Sequence, residues 1–196
     1  MYVKVFKRCL DFFLALLGCI ILAPIMILIS IVIVLESKGP VLFIQKRIGK
    51  HKSYFLIYKF RTMKTNTPTD CPTHLLVDSS QYITKVGKFL RNTSLDELPQ
   101  LWNILLGHMS FVGPRPALWN QYDLIKLRDK YGANDIRPGL TGWAQINGRD
   151  TLTLAEKAKY DGTYVNKISF LSDLQCIIGT VKNVFSQKGI KEGGDT

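Results

Sequence analysis

Two adjacent carboxylates, Asp96 and Glu97, lie in the segment Thr93-Ser94-Leu95-Asp96-Glu97-Leu98-Pro99. Ser94-x-x-Glu97 has the form of a capping box, and acids in a first helical turn suit the helix dipole. The same positive helix end also attracts phosphate. Pro99 constrains where such a helix starts. With Ser94 as N-cap, Pro99 would be the fifth helical residue and would delete an intrahelical bond. With Asp96 as N-cap it is the third, where the N–H has no partner anyway.

Arginines supply a second signal. Arg91 precedes the acids, Arg115 stands between two prolines, and Arg137 and Arg149 bracket Gly139, Gly142 and Gly148. Guanidinium forks bind phosphate oxygens in pairs, and glycines let backbone N–H groups approach an anion. A single such arginine reads as solvated surface; four placed on turns point to a polyphosphate. Lys59-Phe60-Arg61-Thr62-Met63 is either a further anion site or an ordinary strand end. GxxxxGK(S/T) and GxGxxG are absent, so nucleotide folds of those types are unsupported. The cysteines form no CxxC pair, and His51, His74 and His108 lack ligand spacing. A zinc site and a disulfide framework are therefore excluded, and reduced thiols facing a cytoplasm are expected.

Several elements must position these groups. Val41–Ile44 and Tyr54–Phe60 read as strands, and Lys64–Ser80 as a polar loop with Pro68 and Pro72. Leu98, Leu101, Trp102 and Leu105 fall on one face of a helix over Leu98–Leu106, with Gly107 as its stop. Met109–Val112 leads into the rigid turn Gly113-Pro114-Arg115-Pro116. Trp119–Tyr131 is predicted helical and Arg137–Asp150 is a Gly-rich connection. Thr153–Val165 and Ser169–Phe185 are amphipathic helices, the latter striped by Leu174, Ile177, Ile178, Val181 and Val184. The class is α/β, mainly helical with few short strands.

The chain of 196 residues carries 26 Lys+Arg against 15 Asp+Glu, a net charge of +11, and is 46% hydrophobic. Disorder, collagen-like and disulfide-scaffold classes are ruled out. The run Phe12–Leu35 is uncharged, with only Gly18, Pro24 and Ser30 outside the apolar types. It is too long for a signal peptide, and Glu36-Ser37-Lys38-Gly39-Pro40 offers no cleavage site. At ~1.5 Å per residue it could cross a bilayer. Pro24 at its centre predicts a bend, and basic residues on both flanks (Lys4, Lys7, Arg8; Lys38, Lys46, Arg47, Lys50, Lys52) place both ends in the cytoplasm. A single span and a re-entrant helix returning to one face are both open on these residues, the bend's unsatisfied backbone being the obstacle to the second.

Together, Lys59-Phe60-Arg61-Thr62-Met63, Ser94-Leu95-Asp96-Glu97-Leu98-Pro99-Gln100-Leu101-Trp102-Asn103, Met109-Ser110-Phe111-Val112-Gly113-Pro114-Arg115-Pro116, Arg137-Pro138-Gly139-Leu140-Thr141-Gly142 and Gln145-Ile146-Asn147-Gly148-Arg149 resemble the bacterial monotopic phosphoglycosyl transferases, in order. The resemblance covers nearly the whole chain, from Lys7 to about residue 190, and looks like the small form without a preceding membrane domain. It implies transfer of a phosphosugar from a UDP-sugar to polyprenol (undecaprenyl) phosphate, releasing UMP, as the first membrane step of a bacterial glycan. Asp96 matches the nucleophile that holds the phosphosugar covalently, and Glu97 its partner. Arg91, Arg115 and Arg149 match phosphate-contacting arginines, and Mg²⁺, with Asp96 as its ligand, is the implied cofactor. A helix N-terminus is expected to keep Asp96 ionised for attack. Arg137, Lys59 and Arg61 are further phosphate-binding candidates.

The implied layout is a re-entrant membrane hairpin over 1–38, broken at Pro24, and a catalytic domain over 39–196 with interfacial amphipathic helices. That domain would sit on the cytoplasmic face of the bacterial inner membrane, among phospholipids and downstream glycosyltransferases. The family commonly has Ser-Pro at the break. Here the pair is Ala23-Pro24, and Ala cannot offer a hydroxyl to a freed carbonyl. The rival reading, a basic membrane-anchored module binding anionic lipid or nucleic acid without catalysis, shares the charge but shows no nucleic-acid motif.

Overall fold

Residues 2–67 and 81–186 are described by the computed structural model. The apolar run and its basic leader form one helix, α1 (Lys7–Glu36, 30 residues), preceded by a π-helical turn at Tyr2–Phe6. α1 continues through Pro24 where a break was expected. Proline removes one N–H and crowds a carbonyl, yet the helix resumes beyond it, and residues on both sides of Pro24 pack on the body. Ala15 lies in a core with Phe55, Ile57, Leu101, Ile104 and Met109, and Met26, Ile29 and Ile33 in another with Phe60 and Leu90.

Both ends of α1 are held by the same body. At the start, Lys7 Nζ and the Tyr2 hydroxyl donate to Asp173 at 2.5 and 2.7 Å. Arg8 donates to the Ile104 and Leu105 carbonyls, and the buried Asp11 accepts the Phe111 N–H. At the far end the Glu36 carboxylate accepts the Val86 N–H. Arg61 donates to the Ser37 carbonyl at 2.6 Å, to the Lys38 carbonyl at 2.8 Å and to Ser37 Oγ. Arg61 is thus no anion site. It is buried as a strap on the negative end of a helix, which its fork of donors fits.

Strand β1 (Leu42–Ile48) pairs antiparallel with β2 (Tyr54–Phe60), from Leu42 opposite Phe60 to Ile48 opposite Tyr54. β1 runs further than the apolar Val41–Ile44 signal because Gln45 and Arg47 alternate with the exposed Lys46, which rests on the Tyr54 ring. The Lys64–Ser80 loop falls mostly outside the described residues. Beyond it, α2 (Lys85–Asn92) was not foreseen; its start is the Thr84 side chain accepting the Gly87 N–H. A Cβ at Gly87 would lie 2.0 Å from the Thr62 carbonyl oxygen, so glycine lets α2 abut that segment.

α3 (Gln100–Leu105) ends at Gly107, whose φ of 86° bears out its role as the stop. β3 (Ser110–Val112), α4 (Tyr122–Asp129), β4 (Gly139–Thr141) and α5 (Trp143–Ile146) follow, β3 and β4 being parallel. α4 is shorter than Trp119–Tyr131 because Gln121 turns back to accept the Leu118 N–H. Sequence suggests Gly139 and Gly142 as part of an anion cradle. Instead a Cβ at either would lie 2.1 Å or less from Gly113 backbone atoms, so these glycines let two chain segments pack backbone on backbone.

α6 (Leu154–Lys167) opens with a capping box between Thr153 and Glu156. α7 (Phe170–Ser186) buries Ser172, Asp173 and Cys176 while Leu171, Leu174, Ile177, Ile178 and Val181 are exposed. α1 is likewise exposed along Phe13, Leu17, Ile20, Ile21, Ile27, Leu28 and Ile31. α7 thus has Ser172 and Asp173 inside and apolar residues outside, the reverse of a helix on a water-soluble body, while α1 is apolar on its buried and its exposed face alike.

Arg61→Gln should lower stability by on the order of 3 kcal/mol, since it strips buried carbonyls of charged donors. The urea midpoint in detergent should fall; an unchanged midpoint would restore Arg61 to the anion-site reading.

Candidate active site

The acids lie where the chain turns between α2 and α3. Thr93 Oγ1 donates to the Phe89 carbonyl as α2 ends, and Ser94 then adopts the left-handed region, φ 57°. A non-glycine residue there is uncommon and clusters at functional turns. Leu95–Glu97 follow as one 3-10 turn, and α3 starts only after Pro99. The expected capping box does not form. Ser94 makes no side-chain cap, and Glu97 is committed elsewhere.

Both carboxylates are buried, at 9% exposure each. Glu97 Oε1 accepts from Lys59 Nζ at 2.6 Å and from Arg115 Nη2 at 3.2 Å, and Lys59 Nζ lies 3.8 Å from Asp96 Oδ2. Lys59 comes from β2 and Arg115 from the proline-held turn after β3. Arg91, in the last turn of α2, acts electrostatically on Asp96, and Arg149, at φ 51°, on Glu97.

These partners drive the two acids apart. Burial alone would raise Glu97, but Lys59, Arg115 and Arg149 outweigh it and hold Glu97 well below the usual carboxylate range. Burial raises Asp96, and the adjacent Glu97 adds to it; Lys59, Arg91 and Arg115 oppose this without cancelling it. The expectation that a helix end keeps Asp96 readily ionised is therefore corrected: it is the under-compensated member of the pair. Lys59 is itself lowered by burial, opposed by Glu97 and Asp96.

Of the sequence candidates, Arg91, Arg115, Arg149 and Lys59 gather at the acids, whereas Arg61 and Arg137 do not. Arg137 Nε donates to the Gly107 carbonyl and its side chain lines a different cavity, beside Arg8. Arg47 also belongs to this neighbourhood. Arg47 Nη1 donates to the Pro116 carbonyl at 3.0 Å and Nη2 to Gln45 Oε1 at 2.6 Å. Burial lowers it to about 9, with Arg115 adding and Glu97 opposing. Sequence groups it with the basic residues flanking the apolar run, but the period-two alternation Gln45-Lys46-Arg47 turns it inward.

Among the described residues no three His, Cys, Asp or Glu side chains cluster as a metal cage. A magnesium ion does not need one, since it usually takes one or two carboxylates with phosphate oxygens and water. With Glu97 paired to cations, Asp96 is the carboxylate whose buried charge calls for a further counter-ion.

Since the folded Glu97 value is depressed, the stability it confers is complete above its ordinary value near ~4.3. That stability is lost only as pH falls through the much lower folded value. Lys59→Met raises the folded value, so acid unfolding followed by tryptophan fluorescence should begin about one pH unit higher. An unmoved midpoint would mean Lys59 does not carry the pair's charge.

The model of the family described as bacterial sugar transferase matches residues 2–187. The chain is 41% identical to an uncharacterized sugar transferase, EpsL, of Bacillus subtilis (strain 168), over 86% of this chain and 82% of that one. It is 39% identical to the exopolysaccharide production protein PSS of Rhizobium leguminosarum bv. phaseoli, over 90% and 94%. To the UDP-glucose:undecaprenyl-phosphate glucose-1-phosphate transferase of Escherichia coli (strain K12) it is 38% identical, over 94% of this chain but 41% of that longer protein. The matched residues take in α1 and every element that carries Lys59, Asp96, Glu97, Arg115 and Arg149, and the chain belongs to the bacterial sugar transferase family.

Proposed function

We propose that the chain transfers a phosphosugar from a UDP-sugar to undecaprenyl phosphate, giving the polyprenol-diphosphate sugar and UMP. The observation that carries this reading is the buried Asp96–Glu97 pair inside a group of cations, Lys59 and Arg115 in ion-pair reach and Arg91 and Arg149 acting on it electrostatically. A diphosphate is the ligand such a group suits, and the names of relatives that act on undecaprenyl phosphate agree with it.

Each side chain then has a task. An Asp96 carboxylate oxygen attacks the β-phosphorus of the donor. The phosphoanhydride bond to UMP breaks, and UMP leaves with the bonding electrons. The resulting aspartyl phosphosugar is attacked at the same phosphorus by an oxygen of polyprenol phosphate, which releases the Asp96 carboxylate. Glu97 stays ionised throughout, fixing Lys59 and Arg115 where the phosphoryl oxygens arrive. Arg91 lies on the Asp96 side of the group and Arg149 on the Glu97 side. Mg²⁺ held by Asp96 and the diphosphate oxygens would supply the counter-charge that lets a buried carboxylate and an anionic phosphate approach. Asp96 is hard and under-compensated, which suits that ion.

The acceptor is a lipid, and the outward apolar faces of α1 and α7 support seating at a membrane. Both ends of α1 are tied to one body, which favours both ends lying on the same face, the cytoplasmic one by its basic flanks. The membrane helix in this reading is continuous through Pro24 and lies along the catalytic body.

Asp96→Asn should abolish both UMP release and the trapped protein–phosphosugar adduct, tested against a panel of UDP-sugars with undecaprenyl phosphate. Glu97→Gln should cut kcat by about 10²-fold or more. Ordinary turnover by Asp96→Asn would sink the proposal and return the basic lipid- or nucleic-acid-binding module. Protease-accessible tags at the two ends of α1 should be cleaved from the same side of sealed vesicles; cleavage from opposite sides would establish a single span.

A further inference from the structure

A second basic cavity sits at the foot of α1 and shares no lining residue with the Asp96–Glu97 site. Lys7 and Arg8 from α1, Lys50 from the β1–β2 turn and Arg137 line it, against the carboxylates Asp11 and Asp135. Both carboxylates have a hydrogen-bond partner but keep their charge: Asp11 accepts the neutral Phe111 N–H and Asp135 lies 3.1 Å from His51 Nδ1, so four cations stand against two anions in the lining. Lys7 is matched by Asp173. Arg8 spends its donors on neutral carbonyls, so its charge remains.

Donors outnumber acceptors there. Arg137 uses Nε on the Gly107 carbonyl, while its terminal nitrogens and Lys50 Nζ make no hydrogen bond with the described residues. Ser110, 2% exposed, also lines the cavity, and its hydroxyl is buried without a partner. A buried hydroxyl left unpaired is costly. A ligand rich in oxygen acceptors and negatively charged would satisfy Ser110, Arg137 and Lys50 together. A phosphate ester has that chemistry.

The cavity's position selects the source. Lys7 and Arg8 stand immediately before the apolar run of α1, at the level where a membrane-seated helix meets the headgroups. Exposed Phe6 precedes them, and exposed Phe170 and Leu171 precede Asp173, the partner of Lys7. Apolar side chains beside a basic cavity suit acyl chains beside a phosphate. We propose that this cavity binds the phosphate headgroup of an anionic membrane phospholipid, at a site separate from the reacting phosphates.

The test uses the full chain in phosphatidylcholine nanodiscs containing phosphatidylglycerol, with retained lipid counted by native mass spectrometry. Wild type should keep one phosphatidylglycerol. Lys50→Gln/Ser110→Ala should keep it about tenfold less often, and Arg137→Gln should do the same, with thermal unfolding showing that each variant is folded. Asp96→Asn should retain lipid as wild type does, so the transferase reading and this site can fail independently. In a second arm, the protein in neutral detergent is titrated with inorganic phosphate. Binding of the ion, lost in Lys50→Gln/Ser110→Ala, without lipid retention would keep the phosphate site and assign it to the free ion. Equal lipid retention by wild type and the folded variants, or neither lipid nor phosphate bound, would overturn the proposal.

Discussion

Two carboxylates buried side by side cannot both ionise unless cations are built in with them, and this requirement organises the catalytic body. Lys59 must come from the end of β2, Arg115 from a turn stiffened by two prolines, Arg149 from beyond α5 and Arg91 from α2. Each donor lies on a different element, so the hairpin, the parallel β3–β4 pair and the turn between α2 and α3 all converge on one point. Glu97 takes most of the compensation, at 2.6 Å from Lys59 and 3.2 Å from Arg115. Asp96 is left as the acid with charge to spare for a ligand. The division of labour follows from distance and burial, because the two side chains are adjacent in the chain and chemically alike.

A second use of guanidinium runs through the molecule. Arg61 covers the last carbonyls of α1, while Arg8 and Arg137 cover those of α3 and Gly107. Helix C-termini carry partial negative charge and leave carbonyls without partners, and a planar fork of donors meets both needs. These arginines look the same in sequence as those facing the acids. Two roles therefore share one residue type, and the net charge of +11 divides among structural straps, the cluster at the acids and the surface.

The apolar residues divide in a similar way. In α1, Ala15, Met26, Ile29 and Ile33 belong to the same cores as β2, α2 and α3, and the opposite face is open. α7 repeats the arrangement more sharply, hiding Asp173 in contact with Lys7, Tyr2 and Tyr164 while presenting leucine, isoleucine and valine outward. Water would not stabilise that inversion, whereas a bilayer surface would. α1, the candidate membrane helix, thus also packs in the cores next to the acids, and in the proposed function this would tie acceptor access to their geometry.

By itself, the sequence determined the apolar helix, the Tyr54–Phe60 strand, the stop at Gly107, the amphipathic helices after Thr153 and the pairing of Asp96-Glu97 with basic turns. Those features are local: periodicity, turn residues and adjacency express them within a few positions. Tertiary structure alone decided whether Ser94 caps a helix, since a capping box and a left-handed turn share the same residues and the competing donors to Glu97 lie 38 and 18 positions away. It also separated Arg115 and Arg149 from Arg61 and Arg137, turned Arg47 inward, and carried α1 unbroken past Pro24. Each of those outcomes depends on which distant groups a side chain meets after burial, and burial sets both the worth of a charge and the cost of leaving it unpaired.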